Sequence, residues 1–251
     1  MKVTALLSWF DERPEDLHRA ITSHAAAGVL DAVVAVDGRY RLYGSGPCVS
    51  SAAEYDAIRT ACDEKGLGLT LADRVDPWPG EVAKRAHLFG LAAVGADPAR
   101  DWFWIVDADN ELTGHPDPDR FRAELAGTPE AVVAVNFREP GRLIDETRRP
   151  MRQIFRALPG LTAYGRHWHY AAKVGGEWAY LWGPEERQVR AHELPEVVVR
   201  HHSRDRDDER RAEARDYYAA RDARAVEVSP SWWIEDKWGA LAAVDNEGEL
   251  A

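Results

Sequence analysis

Cysteine, methionine and long apolar runs are all scarce in this 251-residue sequence. The two cysteines, Cys48 and Cys62, are too few for a disulfide framework, so we expect a reducing, cytoplasmic environment. No apolar run approaches the roughly 18 residues that a membrane-spanning helix needs, since the longest, over 25–36, is interrupted by a glycine and an aspartate. The N-terminal stretch 1–10 carries one lysine and precedes two acids, which predicts a first strand rather than a signal peptide.

Positive charge is also in deficit, because 32 basic residues face 43 acidic ones for a formal net charge of −11. This balance excludes a protein that binds polyanions over its whole surface, although it allows a local basic groove. A 45% hydrophobic fraction with 10% aromatic residues is too rich in core-forming side chains for a disordered chain. The length and composition therefore predict one globular domain with a sizeable core.

Apolar runs and amphipathic segments alternate through the first 110 residues. The runs expected to form strands, bounded by glycine, proline and aspartate, cover 3–9, 30–36, 67–72 and 102–106. The segments expected to form helices between them cover 14–27, 51–65 and 80–94. Strands that alternate with helices predict an α/β fold whose largely parallel sheet is covered on both faces.

The pattern loosens beyond residue 110. We predict in turn a strand, an irregular arginine-rich stretch, an aromatic and histidine segment, a second strand and a charged helix: 131–137, 138–156, 164–170, 196–200 and 205–224. The charges of the last segment suit a solvated helix surface with ion pairs one turn apart. No repeat or low-complexity linker divides the chain, so we expect a single domain over 1–251.

Acidic residues stand at the ends of the predicted strands, where ligands bind in an open α/β sheet. They are Asp37, Asp73, Asp107 and Asp109. Asp107 and Asp109 are separated by one residue, so their side chains point to one side and need a cation nearby. Mg²⁺ or Mn²⁺ bridging to phosphate oxygens is the natural candidate, and the alternative is that Asp109 caps the turn that follows.

Two cations, Lys84 and Arg85, lie on the helix that precedes the strand of the acidic pair. They could face a diphosphate, or they could belong to an ordinary solvent-facing helix. The sequence has no G-x-x-x-x-G-K-[ST] loop and no G-x-G-x-x-G after the first strand. The common nucleotide triphosphatase and dinucleotide-binding classes are therefore excluded.

The order of these residues resembles a family 2-type glycosyltransferase with the GT-A fold. The likeness covers about 3–112, and its most specific part is W-x-x-x-x-D-A-D-x-E-L over 102–112. It implies a GT-A fold, with a Rossmann-like, mainly parallel sheet, a smaller acceptor-side lobe and C-terminal helices. The implied parts are a nucleotide-sugar half, an acceptor-side half and a C-terminal helical segment: 1–112, 113–200 and 201–251.

The implied activity is metal-dependent transfer of a hexose from a nucleotide-diphosphate sugar, with a UDP-sugar favoured, to an acceptor hydroxyl. The donor-binding residues expected from this resemblance and from the strand ends are Phe10, Asp11, Asp37, Asp73, Lys84, Arg85 and Asp107. The implied ligands of Mn²⁺ or Mg²⁺ are Asp107 and Asp109, joined by His201 or His202. The alternative is that the two histidines cap the segment that follows the last strand.

One departure from the family concerns the catalytic base, because Tyr170 stands where the family has glutamate. An inverting transfer needs a base within reach of the acceptor hydroxyl, and the candidates are Glu177, Asp145 and His169. A retaining transfer can proceed without a protein base. We favour inversion.

The acceptor side is rich in arginine, with seven arginines in 138–166. Interleaved with aromatic residues, they could bind a nucleic acid, such as a hydroxymethylated base in DNA modified by a viral or bacterial enzyme. They could equally be surface arginines, with a protein, a glycan or a small molecule as acceptor. Two other functions stay open: a sugar nucleotidyltransferase, which usually has a basic glycine-rich loop after strand one, and an inactive binding module.

Overall fold

A computed structural model describes residues 1–26, 28–42, 46–115, 117–138, 149–164, 166–174, 177–182 and 188–202, together with residues 212, 216, 217 and 219. The strands are β1 (Val3–Ser8), β2 (Ala32–Val36), β3 (Gly68–Ala72), β4 (Trp102–Asp107), β5 (Asn110–Gly114), β6 (Val132–Arg138), β7 (Arg149–Arg156), β8 (Thr162–Tyr164), β9 (Arg166–Val174), β10 (Glu177–Trp182) and β11 (His192–His201). The helices are α1 (Pro14–Ala26), α2 (Ala52–Lys65), α3 (Glu81–Ala92) and α4 (Pro118–Gly127).

Eight strands form one mixed sheet in the order β3-β2-β1-β4-β7-β6-β11-β5. The first four are parallel to one another, and β11 is parallel to β6. Antiparallel pairs join β7 to both of its neighbours and β5 to β11. A separate sheet has the order β10-β9-β8. The predicted α/β fold with a mainly parallel sheet flanked by helices is confirmed.

Each face of the large sheet buries an apolar layer. The first layer lies under α1, α2 and α4, and the second lies under α3 and the small sheet. Strand β4 contributes to both layers, since Trp104 and Val106 point into the first layer while Phe103 and Ile105 point into the second. The carboxyl ends of β1, β2 and β4 are thereby held side by side at one edge of the sheet.

The prediction of an irregular stretch up to residue 156 is wrong for its last part, which forms β7 between β4 and β6. A β-bulge at Gln153 shifts the register of β7 against β6, so that Val133 pairs with Ile154 and Ala134 pairs with Arg152. Bulges of this kind redirect side chains. The charged helix predicted over 205–224 lies mostly outside the described residues, and residues 212, 216, 217 and 219 are helical.

Candidate functional site

Asp37, directly after β2, is fully buried and accepts three hydrogen bonds. The Ser50 amide donates at 2.6 Å, the Ser50 hydroxyl at 2.7 Å and the Tyr55 hydroxyl at 2.7 Å. Burial, together with the hydrogen bond to Asp37, raises the pKa of Tyr55, so the phenol stays a donor. Asp37 therefore anchors the loop before α2.

Lys84 is fully buried, so the solvent-facing alternative is wrong for it. Its ammonium donates to the carbonyls of Trp9 and Gly38, which follow β1 and β2, and lies 5.2 Å from the centroid of the Tyr40 ring. Burial lowers the pKa of Lys84 to about 7, although Asp37 opposes the shift. Lys84 thus ties the ends of two parallel strands together, whereas a diphosphate contact was predicted for it.

Gly38 completes this junction through its backbone conformation. Its φ of +119° lies where side chains are rarely tolerated, and an added Cβ would stand 2.8 Å from Nε1 of Trp78. The same Nε1 donates to the carbonyl of Asp37 at 2.8 Å. The chain can make this turn only because residue 38 is glycine.

Arg85 is also buried, against the solvent-facing alternative. Its Nη2 donates to Oδ1 of Asp107 at 2.7 Å and lies 3.7 Å from Oε1 of Glu81. Burial alone would lower the pKa of Arg85, but Asp107 and other neighbours outweigh it and raise the pKa. Its Nε and Nη1 have no hydrogen-bond partner within the described part of the chain. Arg85 is therefore a permanent, buried cation beside the acidic pair.

Tyr170 lies close enough to Arg85 and Asp107 for both charges to act on its hydroxyl. The ring is 2% exposed, and burial raises the pKa of Tyr170. Its hydroxyl therefore stays protonated at neutral pH and cannot act as the catalytic base that the family's glutamate supplies.

Asp109 lies in the turn between β4 and β5, and its Oδ2 stands 3.0 Å from Nε2 of His201. The pairing follows from the register of β5 with β11, which sets His201 opposite Asn110. The neighbouring His202 instead places its Nε2 2.7 Å from Glu111. Of the two histidines that the sequence left open, the structure brings His201 to Asp109.

A divalent ion fits this arrangement only in part. The residues that the structure describes contain no group of three or more metal-binding side chains. Asp107 is held by Arg85 and His202 by Glu111, which leaves Asp109 and His201 in contact. Because Mg²⁺ and Mn²⁺ often keep water and substrate phosphates as ligands beside one or two carboxylates, this pair suits an ion completed by a phosphorylated substrate.

The other predicted donor contacts lie around the same edge. Phe10 and Asp11 follow β1, and Asp11 has a φ of 52°, unusual for a residue other than glycine. Its amide donates to the Ser50 hydroxyl at 3.0 Å. Asp73 follows β3 and is exposed, with its Oδ2 3.5 Å from the Tyr55 hydroxyl. The loops after three neighbouring strands therefore meet here, as predicted from the sequence.

Of the three predicted bases, the structure describes His169 and Glu177. His169 is buried on β9 with its ring 5.3 Å from that of Tyr164. It alternates with Tyr170 along the strand and so faces away from Arg85. Glu177 is exposed at the start of β10, and Asp145 lies outside the described residues.

Two of the seven acceptor-side arginines bind the protein's own backbone. Arg152 donates to the carbonyls of Leu181 and Val189, both at 2.7 Å. Arg156 donates to the carbonyls of Thr128 and Ala99 at 2.9 and 3.1 Å. The structure thus uses both guanidinium groups within the fold, where the sequence left a nucleic-acid contact and a surface position open: Arg152 joins β10 and Val189 to β7, and Arg156 joins two loops to it.

Sequence comparison finds relatives named as ribonucleases, while no model of a protein family matches the chain. Ribonuclease H of Pseudomonas aeruginosa strain LESB58 is 35% identical over 104 residues, which are 41% of this chain and 69% of the relative. Ribonuclease HI of strain PAO1 gives the same values, and ribonuclease H of Pseudomonas paraeruginosa strain PA7 is 34% identical. Over these 104 residues the chain belongs to the ribonuclease H family. The ribonuclease H match covers less than half of the chain.

A comparison with solved structures returns a different class of enzyme. A Bacillus anthracis protein assigned as a glucose-1-phosphate thymidylyltransferase, in complex with sucrose, superposes with a TM-score of 0.35 and 8% identity. The superposition covers 61% of this chain and 68% of the other. A structural similarity this low supports no conclusion about the fold or the function of this chain. None of the described helices is long and apolar enough to cross a membrane.

Proposed function

We propose that the chain is a metal-dependent glycosyltransferase of GT-A type that moves a sugar from a nucleotide-diphosphate sugar, with a UDP-sugar favoured, to an acceptor hydroxyl. The observation that supports this best is the acidic pair at the carboxyl end of β4. Asp107 is held by the buried Arg85, and Asp109 is held by His201. A buried cation thus lies beside a potential metal site, where its charge can stabilise the negative charge of a departing diphosphate.

Asp109 and His201 would hold Mn²⁺ or Mg²⁺, which when bound supplies Lewis-acid stabilisation of the departing diphosphate. Arg85 adds a fixed positive charge in a buried position, where electrostatic interactions are strong. Asp107 keeps the guanidinium in place by its 2.7 Å contact. For an inverting transfer, Glu177 and Asp145 stay candidates for the base, because His169 faces the other side of its strand.

The test is release of UDP from a panel of UDP-sugars in the presence of Mn²⁺, with Asp109→Asn as the variant. Asparagine keeps the size and a hydrogen bond to His201 but removes the charge, so we expect at least about a 100-fold loss of turnover with little loss of stability. Asp56→Ala, which removes an exposed carboxylate paired with Arg59, is the control. Full turnover in EDTA, or an Asp109→Asn variant as active as the parent, would refute the proposal.

Acceptors are then compared with the donor that is hydrolysed fastest. Hydroxymethylcytosine DNA, unmodified DNA, a glycan mixture and the protein itself are each incubated with labelled donor. Transfer to the modified DNA alone would identify a nucleic-acid acceptor, and transfer to a glycan or protein would reject it.

The ribonuclease H match favours a second candidate, hydrolysis of RNA. Nucleases commonly hold two metal ions about 3.5–4 Å apart, which requires several carboxylates in one cluster. Within the described residues only Asp109 and His201 are in contact among the predicted metal ligands, which favours a site for one ion. Incubating labelled RNA, alone or paired with DNA, with the protein and Mg²⁺ separates the two candidates, since cleavage lost in Asp109→Asn would support the nuclease.

A further inference from the structure

Tyr217, which follows β11 in the chain, reaches the predicted donor edge through an aromatic contact. Tyr217 is 4% exposed, and its ring is stacked on that of Tyr40, with centroids 5.2 Å apart and planes inclined by 25°. Tyr217 and its described neighbours Asp216 and Ala219 are helical. A residue that follows the last strand of the sheet therefore packs on the loop after β2.

Tyr40 stands at the centre of the predicted donor contacts. It follows Gly38 by two residues, and its backbone forms a bridge with Trp78. Its ring lies 5.2 Å from Nζ of Lys84, and its hydroxyl acts on the pKa of Arg85. Tyr40 thus lies near both basic residues of α3.

The contacts form a continuous column from Tyr217 to the strand ends: Tyr217, Tyr40, Lys84 and the carbonyls of Trp9 and Gly38. Each step is a recognised stabilising interaction, since the rings stack, the ammonium lies near an aromatic ring and the same ammonium donates to two carbonyls. Removing the Tyr217 ring would expose the outer face of Tyr40 and loosen its position near Lys84.

We propose that Tyr217 is a positioning residue of the donor site, which by stacking on Tyr40 forms the outer wall of a pocket for a nucleoside diphosphate. The inference rests on the proposed function and adds a residue that the sequence assigned to a solvated helix surface.

The test compares Tyr217→Ala with Tyr217→Phe, which keeps the stacked ring, in titrations with UDP. We expect the alanine variant to raise the Kd for UDP and the KM for the donor about tenfold, with kcat changed less than about twofold, because one aromatic stack contributes up to about a tenfold effect. The phenylalanine variant should match the parent, as should Asp216→Ala, which alters an exposed neighbour. Tyr40→Ala should raise the Kd for UDP similarly, and the double alanine variant should add little.

A purely structural role would lower the Tm of the alanine variant without changing the Kd for UDP measured well below that Tm, and this outcome overturns the inference. Equal losses in Tyr217→Ala and Tyr217→Phe overturn it too, because the ring would then not be the feature that matters. The parent protein is titrated first. If the parent binds no nucleotide, the proposed function and the inference both fail; if the parent and Tyr217→Ala bind UDP equally, the inference alone fails.

Discussion

At the scale of single residues, His24 shows how burial controls charge in this protein. The ring is fully buried on α1, with its Nδ1 2.7 Å from the carbonyl of Ala20. Its Nε2 has no hydrogen-bond partner among the described residues, and the ring meets Trp104 edge to face. Burial lowers the pKa of His24 to about 4. The folded protein therefore holds a neutral imidazole over a range of pH in which an unfolded chain would bind a proton.

This difference predicts acid sensitivity. Below pH 6.5 the unfolded state protonates His24 while the folded state does not until about pH 4, so the free energy of unfolding should fall as the pH falls between these values. The loss from this residue should approach about 3 kcal/mol. The free energy of unfolding, measured by urea titration at each pH, should depend less steeply on pH for His24→Leu than for the parent. Identical dependence on pH in the parent and His24→Leu would refute the assignment.

At the scale of elements, β7 shows how arginine can belong to a buried strand. Arg156 ends the strand with its guanidinium over the Trp102 ring, 4.4 Å from the centroid, and donates to the carbonyls of Thr128 and Ala99. The planar group satisfies backbone oxygens from two loops at once. The many arginines of this segment favoured the prediction of an irregular stretch. The carbonyls that bind Arg156 belong to segments distant in sequence, so the sequence pattern did not reveal them.

We expect Arg156→Lys to destabilise the protein by about 1–3 kcal/mol, because lysine lacks the planar fork that reaches both loops. The matched control is Arg120→Lys on α4, whose side chain is exposed and pairs with Glu196 at 3.1 Å, so its effect should stay below about 0.5 kcal/mol. The free energies come from denaturant unfolding. If both substitutions lowered the free energy of unfolding by the same small amount, the contacts of Arg156 with the two loops would not stabilise the protein.

Much of the first half could be predicted from the sequence, because β1 to β4 and α1 to α3 carry their periodicity and boundaries locally. Strand β5 could not be predicted, because it is only five residues long and partly polar, and its partner in the sheet, β11, is distant in the sequence. In the candidate site, the sequence predicted that the residues after β1, β2 and β4 lie at one edge of the sheet, and the strand order places these strands side by side. The partners of Lys84 could not be foreseen, because they are backbone carbonyls at the ends of two other strands.

At the scale of the whole molecule, the two apolar layers share one sheet, so neither can be lost alone. Along β2 the side chain of Val33 enters the layer under α1 and α2, while Val34 enters the layer under α3. Strands β1, β2 and β4 alternate in this way, which couples the helices of one face to the small sheet on the other. The candidate site lies at the edge where these strands end, and its geometry depends on both layers.

A matched pair of substitutions tests this coupling. Val33→Ala and Val34→Ala remove the same atoms from adjacent residues, one from each layer, and both side chains are buried. We expect each to lower the free energy of unfolding by about 1–3 kcal/mol and to leave a single transition that coincides by tryptophan fluorescence and circular dichroism. A variant in which one signal changes at lower denaturant than the other would instead show that the two layers unfold separately, and that the donor edge can lose one face while the other persists.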